Sequence, residues 1–92
     1  KILNISNEYS TFLKLLVNIN DKVALRCWIG IGSKTTNSSG YSKILDYSMH
    51  KNITPLNTIQ LLARGQISIN YTYDIVFWYN ELEKLITKFS KL

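Results

Sequence analysis

Val23-Ala24-Leu25-Arg26-Cys27-Trp28-Ile29-Gly30-Ile31-Gly32-Ser33-Lys34-Thr35 is the stretch that decides how this chain is read. An apolar, helix-like run stops abruptly at Gly30-Ile31-Gly32, and a small polar and basic segment follows. Two glycines around one aliphatic residue permit a sharp turn, because positive φ is open to both. Ile31 is expected to tuck inward and anchor that turn. Amides released by the turn would point outward beside Lys34, and such amides beside a cation form a phosphate cradle. The segment lacks the later Gly-Lys-Ser/Thr of a Walker A loop. It also lacks the third glycine and preceding strand of a dinucleotide fingerprint.

Upstream, Tyr9, Phe12, Leu13, Leu16 and Val17 fit one helical face. Residues 1–10 show no clear periodicity and are expected to form an extended N-terminal arm, with Ile2, Leu3 and Ile5 in a short extended segment. Asn20 or Asp21 is expected to cap the helix that runs through Leu25 to Trp28. Downstream, residues 35–42 are small and polar and include Gly40. They predict a weak or interrupted helix that firms up through Lys43, Ile44, Leu45, Tyr47 and Ser48. His50-Lys51-Asn52 reads as a loop. Asn57 with Gln60 three residues on resembles a capping box ahead of Leu61-Leu62-Ala63, with Pro55 just before the cap. Gly65 is expected to end that helix. Residues 66–73 alternate, with Ile67, Ile69, Tyr71 and Tyr73 on one side, which is the period of a strand. In the last segment Trp78, Leu82, Leu85, Ile86 and Phe89 share a helical face. Glu81, Glu83, Lys84, Lys88 and Lys91 lie mainly opposite, with acid early and base late as the helix dipole favours.

With no internal repeat or linker, residues 1–92 predict one mainly α domain. Its core is expected to hold Leu25, Trp28, Leu56, Leu61, Trp78, Leu82 and Leu85. Apolar residues make up 46% of the chain, enough to fold rather than stay disordered. The net charge of +5 leans toward a polyanionic partner. Cys27 is the one cysteine and His50 the one histidine, so an internal disulfide is excluded and a Cys/His zinc site is disfavoured. Cys27 is expected to be a small core residue and His50 a surface one. No cofactor is implied. No apolar run approaches membrane-spanning length, and none reads as a secretory signal. Asp46, His50 and the serines nearby are held in no fixed order, and no carboxylate pair stands out, so an enzyme is not expected. Trp28 and Trp78 fall in amphipathic runs, which favours core packing over base stacking. Richness in Ile, Asn, Lys and Tyr is that of an AT-rich coding sequence.

Two blocks together resemble the universal small-subunit ribosomal protein thirteen family. Val23-Ala24-Leu25 leading to Ile29-Gly30-Ile31-Gly32-Ser33-Lys34 is similar to the family's Ala-Leu run, Gly-Ile/Val-Gly turn and following Lys. Ile53-Thr54-Pro55-Leu56-Asn57-Thr58-Ile59-Gln60-Leu61 is similar to the family's Ile-Ser-Xaa-Leu-Ser/Thr-Xaa-Xaa-Gln-Ile, which opens its next helix. The spacing between them is nearly the family's, with a small insertion around residues 37–41. The resemblance implies a helix-hairpin-helix-like turn and a helix-two-turns-helix-like arrangement. It also implies a structural, non-enzymatic constituent of the small-subunit head. Its ribosomal RNA would be gripped by Gly30, Ile31, Gly32, Ser33 and Lys34, with Thr35, Arg26 and Lys43 nearby. Neighbouring head proteins and a large-subunit bridge protein are implied as further partners. The family's Arg/Lys-rich continuation toward transfer RNA has no counterpart in residues 1–92, so that contact is not expected of them. Residue usage points to a mitochondrial ribosome, or else to the cytoplasm of an AT-rich bacterium. The residues themselves also admit a helix-hairpin-helix DNA-binding module. A third reading is a small helical interaction protein of the immunity or antitoxin kind, in which the glycines are only a helix-helix turn.

Overall fold

In a computed structural model the chain forms five helices: α1 Ile2–Val17, α2 Lys22–Ile29, α3 Ser38–Lys51, α4 Pro55–Ala63 and α5 Tyr73–Ser90. The structure describes residues 2–31 and 37–90, with side chains for residues 10–31 and 37–89, and contains no strand among them. α1 packs on α2, α3 packs on α4, and α5 lies against both α2 and α4. The body measures 37 × 31 × 19 Å.

Local signals set most helix ends. Asp21 caps α2 through its carboxylate, which accepts from the Ala24 amide at 3.0 Å. α4 begins two residues before the expected Asn57 cap. Thr54 Oγ1 accepts from the Asn57 amide at 3.1 Å, and Pro55 is the first helical residue. Proline suits that position because its missing N–H would have no helical acceptor there. Gly65 ends the helix with φ 73°, closing a Schellman motif from Gln66 to the Leu61 carbonyl at 3.0 Å. Asn52 does the same for α3 with φ 57°, as Ile53 donates to the Ser48 carbonyl at 3.0 Å. His50 and Lys51 are therefore helical, not loop. An asparagine in the left-handed region takes the place that glycine commonly fills at a helix end.

Three further expectations are corrected. Residues 2–10 are not an extended arm but the first turns of α1, because propagating an existing helix adds one hydrogen bond per ordered residue. α1 buries Phe12 and Leu15, whereas Val17 is 88% exposed and Leu13 and Leu16 stand outside the core, so its inner face is rotated from the one expected. Residues 66–73 form no strand. Alternation needs a neighbouring edge to hydrogen-bond, and the described residues contain no strand to offer one. Ile69 packs on the core, Thr72 Oγ1 donates to the Ile69 carbonyl at 2.6 Å, and Tyr71 breaks the extended run with φ 65°.

The core joins Phe12 and Leu15 of α1 to Leu25, Trp28 and Ile29 of α2, Ile44 of α3, Leu56 and Ile59 of α4, and Ile75, Tyr79 and Leu82 of α5. Trp78 and Leu85 pack against it, and Leu61 is half-buried. Trp28 meets Trp78 edge-on at 5.9 Å and donates its Nε1–H to the Trp78 carbonyl at 2.7 Å. Cys27 is exposed, a correction that follows from α2's buried stripe of Ala24, Leu25, Trp28 and Ile29. Ser48 and Thr58 share a buried 2.7 Å hydrogen bond across α3 and α4, and Ser48 also reaches the Ile44 carbonyl at 2.7 Å.

Candidate nucleic-acid interface

Of the residues singled out from the sequence, Arg26, Gly30 and Ile31 lie along and just after α2, and Lys43 lies on α3. α2 stops at Gly30, which is buried and right-handed, with φ −94° and ψ −1°. Its amide donates to the Cys27 carbonyl, and the Ile31 amide donates to the Trp28 carbonyl, both at 3.3 Å. These two amides tighten the last turn of α2 and do not point outward. Ile31 packs on the core, as an anchor should. Gly32, Ser33, Lys34 and Thr35 lie outside the described residues. Asn37, at the far side of the turn, donates from Nδ2 to the Ile29 carbonyl at 2.6 Å and ties the start of α3 to the end of α2.

Arg26 and Lys43 do not meet. The Arg26 guanidinium lies 4.4 Å from the centre of the Tyr41 ring, and Lys43 Nζ lies 5.7 Å from the Tyr71 ring. Tyr41 and Lys43 are two residues apart on α3, about 200° around the helix, so the two cations stand on opposite flanks of it. Lys22 precedes Arg26 by four residues and shares its side of α2. Lys51 stands 5.9 Å from the Tyr47 ring.

Carboxylates are what the sequence of this segment lacks. From Lys22 to Leu45 there are four cations, Lys22, Arg26, Lys34 and Lys43, and no Asp or Glu. Asp21, just before, spends its carboxylate on the α2 cap. Among the described residues the one ion pair is Lys84–Glu81 on α5, at 3.2 Å. A sum of charge over the whole chain hides this local asymmetry. Counting acids within a sliding window would have found it.

Concavities mark the surface among the described residues. A cavity of about 190 Å³ lies between the start of α2, Tyr41 and the start of α4, lined by Lys22, Leu25, Pro55 and Leu56 among others. A shallower cleft of about 340 Å³ is lined by Asn37, Ser39, Gly40, Tyr71, Tyr73 and Asp74. An open groove of about 790 Å³ runs along the outer face of α5 past Glu83, Lys84 and Lys88. Away from these, Tyr79 is buried, donates to Glu83 at 2.7 Å and accepts from Gln60 at 3.2 Å. Burial first, then the bond to Glu83, push its phenol up to about 12. His50 is exposed, with Nδ1 3.1 Å from the Asp46 carbonyl in its own helix. No group of three potential metal ligands exists among the described residues. None of the described helices is long and apolar enough to cross a membrane.

No protein-family model, curated protein or solved structure matches this chain. The functional reading therefore rests on the geometry above and on the two sequence blocks.

Proposed function

We propose that this chain is an RNA-binding structural protein of a small ribosomal subunit, set on ribosomal RNA phosphates by its α2–α3 corner. One observation carries the reading. The sequence from Lys22 to Leu45 carries four cations and no carboxylate, with Lys22 and Arg26 on α2 and Lys43 on α3. A segment of one sign attracts a polyanion and binds it without reading sequence. On this reading Gly30 and Ile31 form the anchored base of a helix-hairpin-helix-like turn. Gly32, Ser33, Lys34 and Thr35 are further phosphate contacts, and Arg26 and Lys43 take phosphates on either flank. α3 and α4, joined by the short link that ends at Thr54, make the helix-two-turns-helix-like part. Both blocks that resemble the ribosomal family fall at helix boundaries, the end of α2 and the start of α4, which supports the reading. The chain's residue usage favours an organellar, mitochondrial ribosome, with head proteins and a bridge protein of the large subunit as neighbours.

Co-sedimentation with small ribosomal subunits through a high-salt wash tests this. The wild-type protein should remain with the subunit, and a Gly30→Val/Gly32→Val variant should be lost from it. Release of the wild-type protein as a free, DNA-binding monomer would overturn the assignment.

A further inference from the structure

We propose that Tyr71 and Tyr73 form a stacking platform for unpaired bases, with Lys43 beside it for the adjoining phosphate. The inference rests on the RNA-binding reading and adds which part of the RNA this flank takes. Tyr79 is buried, and both tryptophans are packed against the core. Tyr71 and Tyr73, by contrast, are 75% and 82% exposed. Isolated exposed rings are common, so exposure alone decides nothing.

What sets Tyr71 apart is its backbone. It holds φ 65°, a region that is strained for a bulky side chain. The ring itself packs too little to compensate, since it stands in solvent. The backbone is held instead by a seam with α3. A Cβ on Gly40 would clash with the Tyr71 carbonyl oxygen and would stand 3.1 Å from Ile75 Cδ1. Gly40 lies inside α3, where glycine weakens a helix. The fold thus tolerates a helix glycine and a strained tyrosine at one seam, and the outcome is an aromatic ring presented to solvent on a fixed backbone. Strain persists where surrounding structure over-determines it, and it gathers at functional sites.

The surroundings select the occupant. The tyrosines border the cleft of about 340 Å³, whose other walls are Asn37, Ser39, Gly40 and Asp74. Lys43 Nζ lies 5.7 Å from the Tyr71 ring centre, and no carboxylate pairs with it among the described residues. An exposed cation–π contact is weak, so the ammonium can exchange the ring for a phosphate and leave the ring face to a base. Asp74 is the one carboxylate at the cleft, and it suits the amino edge of a base better than a second phosphate. Lys43 is also the last cation of the acid-free segment, on the flank of α3 opposite Arg26. A duplex hides its base faces, which restricts the occupant to a single strand or loop.

Fluorescence anisotropy at low salt tests this with a short single-stranded RNA and with a blunt duplex of the same length. The proteins are the wild type, a Tyr71→Asn/Tyr73→Ser variant and a Lys22→Ala/Arg26→Ala variant. Both tyrosines are exposed and asparagine accepts positive φ, so the first variant should keep its helical circular dichroism. It should bind the single strand about tenfold or more weakly and the duplex about as the wild type does. An unchanged affinity for the single strand would overturn the platform, as would an equal loss on both RNAs. If the Lys22→Ala/Arg26→Ala variant still loses binding in that case, RNA binding stands and the platform alone falls. A wild type that binds neither RNA would overturn both. Normal strand binding by the tyrosine variant, together with its loss from the ribosomal subunit, would make the tyrosines a protein contact and also overturn the platform.

Discussion

Gly40→Ala should destabilise this protein, although the same change in a solvent-facing helix stabilises. Replacing an interior helical glycine by alanine ordinarily gains about 1 kcal/mol. At Gly40 the added methyl would clash with the Tyr71 carbonyl oxygen and stand 3.0 Å from its carbonyl carbon and 3.1 Å from Ile75 Cδ1. Two of those three neighbours are backbone, so relief requires residues 66–72 to shift, not a side chain to rotate. Overpacking by a methyl group costs about 1–3 kcal/mol. Set against the helix-propensity gain, the net loss is about 1 kcal/mol, in a range of about 0–2. In a domain of this size each lost kcal/mol lowers Tm by about 4–8 °C. Thermal melts followed by circular dichroism read this directly, with Ser39→Ala as an exposed control on the same helix. In a Tyr71→Gly background the segment can move without strain, so the cost of Gly40→Ala should shrink. A rise in Tm of several degrees for Gly40→Ala would refute the seam, and with it the account of how Tyr71 is held.

Other expectations follow from single contacts. Thr54→Ala should cost about 1 kcal/mol in urea unfolding, because it removes the cap on the Asn57 amide, while Asn57→Ala, on an exposed side chain, should cost less. Cys27 should react with a thiol reagent in the native state at nearly the rate of the unfolded chain, since it is exposed; strong protection would return it to the core. Tyr79 links pH to stability. Its folded-state phenol is raised from the ordinary 10 to about 12, so the folded form holds the proton more tightly than the unfolded chain. Its contribution is whole below pH 10 and is lost as pH rises from about 10 to about 12. The stability difference between wild type and Tyr79→Phe should narrow across that window, and a constant difference would remove the linkage.

Much of the fold was legible where local chemistry is strong. The cap at Asp21, the stop at Gly30, the stop at Gly65 and the long amphipathic α5 all rest on signals within a few residues. Errors arose where tertiary context chose between local options. Thr54 and Asn57 are both plausible caps, and Pro55 at the first helical position settles the matter for Thr54. Residues 66–73 alternate like a strand, but the fold supplies helices as neighbours and gives Tyr71 a left-handed backbone. In α1 and α2 the apolar residues outnumber the places on the buried face, so Val17 and Cys27 face solvent although both sit in apolar runs. The site was less legible than the fold. Lys43 and Tyr71 are far apart in sequence and come together only because Gly40 lets the loop approach α3. The absence of carboxylates between Lys22 and Leu45 was open to view in the sequence, but a whole-chain charge does not reveal it.

The central claim is that the α2–α3 corner binds RNA phosphates, and the salt dependence of binding tests it most directly. Affinity for a single-stranded RNA is measured across a series of salt concentrations for the wild type and for a Lys22→Ala/Lys43→Ala variant. Each phosphate neutralised on a single strand contributes about 0.7 to the slope of log affinity against log salt. Removing two lysines that each hold one phosphate should therefore flatten the slope by about 1.4. An unchanged slope, or no RNA binding by the wild-type protein at low salt, would contradict the account.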